Sequence, residues 1–187
     1  MRADPAPPEV TAAVGQVDRL EATITTLLSV ARDLPLEADG TDLLELLRTV
    51  AVGWRTALAR RGRDLTLDLP AAAPRSSAHV PVVREILEIL IDNAITHGAG
   101  TVHLKVRSGD AGAWLDLDVR DEGEGLDADP DSVFSQGQPS TPARHGIGLP
   151  LARALALAEN GTLTLSHPGP EPCFTLRLPA VPPNAPR

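Results

Sequence analysis

The sequence predicts an α/β protein, a two-layer sandwich of one mixed sheet and about three helices, preceded by one long helix. Two patterns carry this expectation. Segments such as LTLDL (65–69), TVHLKV (101–106), AWLDLDV (113–119), TLTLS (162–166) and FTLRL (174–178) alternate apolar and polar residues, the period of a half-buried strand. Between them, apolar residues recur three and four apart, the period of a helix with one buried face. The resulting order is helix, strand, helix, two strands, helix, two strands.

The long helix comes first. Val10, Ala13, Val17, Leu20, Ile24, Leu27, Ala31 and Leu34 form a heptad seam, and Pro35 closes it. Such a stripe needs a partner: its own globular domain, another helix of a hairpin, or a second copy. The next helix spans about Thr41 to Arg61, with Thr41 able to cap it and Leu43, Leu47, Val50, Trp54 and Leu58 as its buried face. Gly62 ends it. A third helix starts near Pro81 and runs to about Thr96, burying Ile86, Leu87, Leu90, Ile91 and Ala94. Residues 122–145 are rich in Gly, Asp, Pro, Ser and Gln, and a loop of that length in a compact domain is usually a lid or binding loop. A fourth helix starts at about Leu149, and the last two strands form a hairpin around HPGPEP. Residues 1–9 and 180–187 read as disordered tails, 10–38 as helix and linker, and 39–179 as the folded domain.

Composition narrows the function. The 187 residues are 42% hydrophobic and 22% charged, enough to build an ordinary core. Lys and Arg number 17 against 25 Asp and Glu, a formal charge of −8, which disfavours a nucleic-acid partner. Aromatics are 2%, with no tyrosine, so a base-stacking platform is not expected either. No apolar run approaches the roughly 18 residues of a membrane helix. The opening MRADPAPPEV lacks an apolar export segment. Cys173 is the one cysteine, so an internal disulfide is excluded and a reducing, cytoplasmic setting fits.

Three constellations carry chemistry. In EILEILIDNAITHG (85–98), Asn93 is a polar residue on an apolar helix; its amide oxygen is a suitable hard ligand for Mg²⁺ beside a triphosphate, or simply an Asn near a helix end. In VRDEGEGLD (119–127), a strand runs into Asp-x-Gly-x-Gly; Asp121 can accept a hydrogen bond from an exocyclic amine such as that of adenine, or belong to an ordinary acidic turn. In RHGIGLPLARALALAENG (144–161), Gly146 and Gly148 precede a helix whose free N–H groups suit phosphate, although two glycines alone are a weak signal. They do not follow the first strand of a βαβ unit, so the dinucleotide-binding reading fails.

Taken together, in this order and on these elements, the boxes ILEILIDNA, DEGEG, SVFSQG and HGIGLPLAR resemble the catalytic and ATP-binding domain of sensor histidine kinases, within the larger family that includes gyrase and the chaperone ATPases. The resemblance covers about Asp39 to Pro179 and implies a Bergerat-type ATP-binding fold with ATP and Mg²⁺ as cofactors. It implies that Asn93 binds Mg²⁺, Asp121 the adenine amine, and Gly123 and Gly125 the adenine-side turn. Phe134 falls in the intervening segment, and Gly146, Ile147, Gly148 and Leu149 form the turn that flanks the phosphates. His97, one turn beyond Asn93, sits where the family often places a polar or aromatic residue near the nucleotide; a helix-end histidine without a ligand is the equal alternative. VDRLEATITTLLSVARD (17–33) looks like the second helix of the family's dimerisation and phosphoacceptor hairpin. None of the five histidines lies in that helix or precedes an acidic residue and Arg-Thr-Pro, so the acceptor histidine is expected on a partner helix. The implied partners are that hairpin and a downstream response regulator, with a homodimer through Val10–Leu34 as another use of the seam. The implied location is the cytoplasm, including as the cytoplasmic part of a membrane-anchored sensor.

The sequence departs from the family pattern at three places. Ile89 stands where a second Asn is usual, four residues before Asn93. Arg144 replaces the first glycine of Gly-x-Gly-x-Gly, as a contact to the γ-phosphate or a solvated loop charge. Residues 159–161 read ENG where many kinases have His-Gly-Gly. Ile89 also separates the readings. The family's ATPases and serine kinases tend to carry a glutamate base there, and Glu88 is about 100° around the helix. An anti-sigma-factor-type serine kinase and a degenerate nucleotide-binding or dimerisation module are the alternatives to a histidine kinase.

Overall fold

The structure is a computed structural model. It describes residues 40–181, apart from residues 74, 110, 111, 127, 128 and 136–147. The helix expected over Val10–Leu34 and both expected tails, save Ala180 and Val181, lie outside the described residues. The chain divides into two units, Met1–Leu34 and Pro35–Arg187, and every described residue falls in the second.

The second unit is a mixed sheet of five strands with helices on one face. Its elements are α1 (Leu43–Ala59), β1 (Leu65–Asp68), α2 (Val80–His97), β2 (Val102–Ser108), β3 (Trp114–Arg120), α3 (Gly148–Ala158), β4 (Thr162–His167) and β5 (Cys173–Pro179). The strand order is β1-β2-β3-β5-β4. β1 runs parallel to β2, and the other pairs are antiparallel. Alternation puts one row of side chains, Leu67, Leu104, Val119, Phe174 and Leu165, side by side across the strands on the face that the helices cover. Val106, Leu117, Leu176 and Leu163 form the next row. Against them pack Val82, Val83, Ile86, Leu87, Leu90, Ile91, Ala94 and Ile95 of α2, and Ala152, Leu155 and Ala156 of α3. Burying each large aliphatic side chain stabilises the fold by about 1.5–3 kcal/mol.

Two local expectations are corrected. Asp42, not Thr41, caps α1: its carboxylate accepts from the N–H groups of Leu44 (3.0 Å) and Glu45 (3.1 Å). Thr41 is drawn away by tertiary partners. Its backbone pairs with Ser76 and its hydroxyl donates to the Ala78 carbonyl at 2.5 Å. Trp54 is half-buried, and the buried face of α1 is made instead by Leu43, Leu44, Leu46, Leu47, Val50, Ala51 and Leu58. Gly62 does end the helix turn, at φ +67.

The opposite face of the sheet is polar and crosslinked. Arg177 donates to both oxygens of Asp116 (2.7 and 3.0 Å), and Arg107 does the same to Asp118 (2.8 and 2.9 Å). Thr175 also donates to Asp118. Lys105 pairs with Asp68 on this face at 2.6 Å. Cys173 lies here too, half-buried rather than in the core, and burial raises its thiol pKa. Asp116 is only 3% exposed because its two arginine neighbours cover it. The Arg177 hydrogen bond holds its carboxyl below the usual range. Because the folded pKa is the lower one, this stabilisation is complete above the unfolded aspartate value of about 3.9 and fades as pH falls through the lower folded value. Thermal unfolding scanned from pH 5 to pH 2 is expected to show an acid-side loss of stability that is smaller in Asp116→Asn.

Candidate nucleotide-binding site

The site gathers where the C-terminal end of α2, the end of β3 and the start of α3 meet. Asp121 follows the last residue of β3 and is 5% exposed. Its Oδ1 accepts from the N–H groups of Gly123 (2.8 Å) and Ala99 (3.2 Å). Its Oδ2 has no hydrogen-bond partner among the described residues. The carboxylate sits in a slot between two glycines. A Cβ built on Gly98 would lie 2.2 Å from Oδ1, and one on Gly123 would lie 2.7 Å from it. Gly98 is extended (φ −91), so space rather than a positive φ requires glycine there.

The Asp-x-Gly-x-Gly turn is fixed from both sides. Toward α2, Glu122 N–H donates to the Ala99 carbonyl (3.0 Å) and Thr101 N–H donates to the Glu122 carboxylate (2.9 Å). That N–H, followed by His103, holds the Glu122 carboxyl below its ordinary range. Toward the β4–β5 turn, Leu126 N–H donates to Pro168 (2.7 Å) and Glu171 N–H donates to Gly123 (2.8 Å). Gly125 makes this approach possible: φ is +91, and a Cβ would lie 2.2 Å from the Gly169 carbonyl.

α2 and α3 run antiparallel. Glu159, beyond the end of α3, accepts from the backbone N–H of His79 at the start of α2 (2.9 Å), with the His79 ring 3.1 Å from both its oxygens. The ENG segment is thus more than a helix end: Glu159, 6% exposed, ties the two helices together. At the other end, a Cβ on Gly148 would lie 3.3 Å from Ile89 Cγ2. The N-terminus of α3, whose first N–H groups have no partner within the helix itself, therefore sits one helical turn from Asn93. Asn93 is half-buried, and its side chain has no hydrogen-bond partner among the described residues. His97 is exposed in the last turn of α2, with no polar partner among the described residues. Leu149 is half-buried in the first turn of α3.

Phe134 closes the adjacent loop. It ends a short 3-10 turn (Ser132–Phe134), is 7% exposed, and meets Phe174 edge-on with centroids 6.1 Å apart. Arg153 of α3 lies over its ring at 4.9 Å and pairs with Asp131 at 3.1 Å. Arg144, Gly146 and Ile147 lie outside the described residues.

Sequence reasoning missed Gly98, Arg63 and Glu159. Nothing in the sequence around Gly98 ties it to Asp121. Arg63 reaches carbonyls more than thirty positions away. Glu159 stands out in sequence only as an acid where the family pattern has a histidine.

This chain belongs to the family of histidine kinase-, DNA gyrase B- and HSP90-like ATPases, whose model matches residues 79–182. Within it, the fold and the relatives are those of the ATP-binding catalytic domain of sensor histidine kinases. The sensor histidine kinase MtrB of Mycobacterium tuberculosis is 32% identical over 180 residues, covering 90% of this chain and 32% of MtrB. The chain thus spans about a third of the length of that curated relative. Among solved structures, the Acinetobacter baumannii histidine kinase AdeS superposes with a TM-score of 0.66 at 23% identity, covering 96% of this chain and 88% of that one. The ATP-binding domain of PrrB from Mycobacterium tuberculosis gives 0.58 at 24% identity, covering 76% and 96%. At these identities the structural likenesses establish the fold. No helix among the described residues is long and apolar enough to cross a membrane.

Proposed function

We propose that this domain binds ATP with its adenine on Asp121 and serves a two-component kinase that transfers the γ-phosphoryl group to a histidine on a phosphoacceptor hairpin. The observation that carries the reading is the Asp121 carboxylate. It is buried, one oxygen is saturated by two backbone N–H groups, and the other has no partner among the described residues. The second oxygen is therefore left free as an acceptor at the mouth of the slot, where an exocyclic amine can donate to it. The two glycines flanking the carboxylate leave no Cβ in that slot. Asn93 would hold Mg²⁺ through its amide oxygen, and the ion would neutralise phosphate charge when bound. Gly148 and Leu149, with Gly146, Ile147 and Arg144, would line the phosphates at the start of α3.

Ile89 favours histidine as the acceptor. It packs at the start of α3, where a carboxylate base would otherwise activate water or a hydroxyl. Imidazole is itself a nucleophile, so this site needs only to position the phosphates and neutralise their charge. Residues 10–38 would supply the second helix of the hairpin, joined to the catalytic domain at 39–179, with a response regulator receiving the phosphoryl group afterwards.

The test uses γ-labelled ATP and Mg²⁺, with and without a hairpin carrying a phosphoacceptor histidine. Acid-labile, base-stable label on the hairpin, with negligible label on this chain alone, is expected. Label confined to serine, or rapid labelling of one of the chain's own histidines, overturns the reading.

A further inference from the structure

Arg63 belongs to neither the strand nor the helix on either side of it. It lies in the turn between α1 and β1, where its backbone N–H donates to the Leu58 carbonyl (3.0 Å). Its guanidinium crosses to the far end of α2. There Nη1 donates to the carbonyls of Ala94 (2.9 Å), Ile95 (3.3 Å) and Gly98 (3.2 Å). Nη2 donates to Ala99 (2.8 Å), and Nε donates to Gly100 (2.6 Å). One side chain thus gathers the carbonyls of the helix end and of the loop behind it. A cation there is also favoured by the helix dipole.

The loop it gathers is the one that holds Asp121. Ala99, whose carbonyl accepts from Arg63 and from Glu122 N–H, donates its own N–H to Asp121 Oδ1. Gly98, whose carbonyl also accepts from Arg63, forms one wall of the carboxylate slot. Only a planar fork of donors satisfies carbonyls spread over Ala94 to Gly100 at once. A lysine at the same place brings the charge but not the fork.

We infer that Arg63 is a positioning residue for nucleotide binding, setting the Asp121 carboxylate through the Gly98–Gly100 backbone. The inference rests on the reading of Asp121 as the adenine acceptor. The guanidinium is taken up by these backbone carbonyls, so it acts through Ala99 N–H and the Gly98 wall.

The test measures Mg-ADP affinity by calorimetry for the natural chain, Arg63→Lys, Asp121→Asn and the double variant, at a temperature where circular dichroism shows each one folded. Arg63→Lys is expected to bind about five- to tenfold more weakly. Asp121→Asn is expected to cost less in the Arg63→Lys background than alone, because the two act on one contact. Amide exchange read on Arg63→Lys without nucleotide gives a second measure: Ala99 N–H is expected to exchange faster while the β3 amides stay protected. Unchanged affinity in Arg63→Lys, or fully additive losses with unchanged Ala99 exchange, overturns the inference and leaves the role of Asp121 standing. Absence of ADP binding by the natural chain overturns both.

Discussion

Asp121→Asn weakens ADP and ATP binding by about 1.5–3 kcal/mol, or roughly tenfold to a hundredfold and somewhat beyond. The amide can still present one oxygen to the N–H groups of Ala99 and Gly123, so the loops around the site keep their anchor. Its NH₂ then falls where Oδ2 stood, and a donor meets the donor of the exocyclic amine. The loss therefore appears in affinity and not in folding. Calorimetry and a melting curve on the same sample separate the two, and an unchanged affinity removes Asp121 from the site.

Gly98→Ala is expected to cost nucleotide affinity on the same scale, about 1–3 kcal/mol, by displacing a carboxylate it never bonds to. The new methyl would stand 2.2 Å from Asp121 Oδ1 and 2.6 Å from the Ala94 carbonyl. The carbonyl belongs to the helix that Arg63 clamps, so the Asp121 side chain must yield. Gly53→Ala is the control: it lies within α1 with open space around its Cβ position. Helix propensity makes it neutral to stabilising. Normal affinity in a folded Gly98→Ala chain contradicts the slot geometry.

These two residues also mark how far the sequence could be read. Asp121 was legible because a strand followed by Asp-x-Gly-x-Gly is a local pattern with a chemical use. Gly98 was not, because its partner is Asp121, on a strand end two elements' contacts away. The helices and strands were legible for the same local reason: Ile86, Leu87, Leu90 and Ile91 repeat at helical spacing, and all are fully buried. Where two neighbours share a propensity, tertiary contacts decide. Thr41 and Asp42 are both good caps, and the pairing of Thr41 with Ser76 leaves the role to Asp42. Alternation placed Asp116 on the solvent face, yet its arginine neighbours bury it, which period alone does not reveal. The Arg63 clamp was out of reach because an arginine in a turn carries no signature of carbonyls 31 to 37 positions away.

The end of α2, the end of β3 and the start of α3 are proposed to form one nucleotide site. Titration of isotope-labelled chain with Mg-ADP, followed on the backbone amide resonances, tests this. Saturable shifts are expected, largest at Ala99, Gly123 and Gly148. The first two donate to or flank Asp121, and the third opens α3. Smaller shifts are predicted at Asn93 and none on the Thr162–His167 edge strand. Saturable shifts centred on the polar sheet face around Asp116 and Arg177, or no shifts at any ADP concentration, would contradict it.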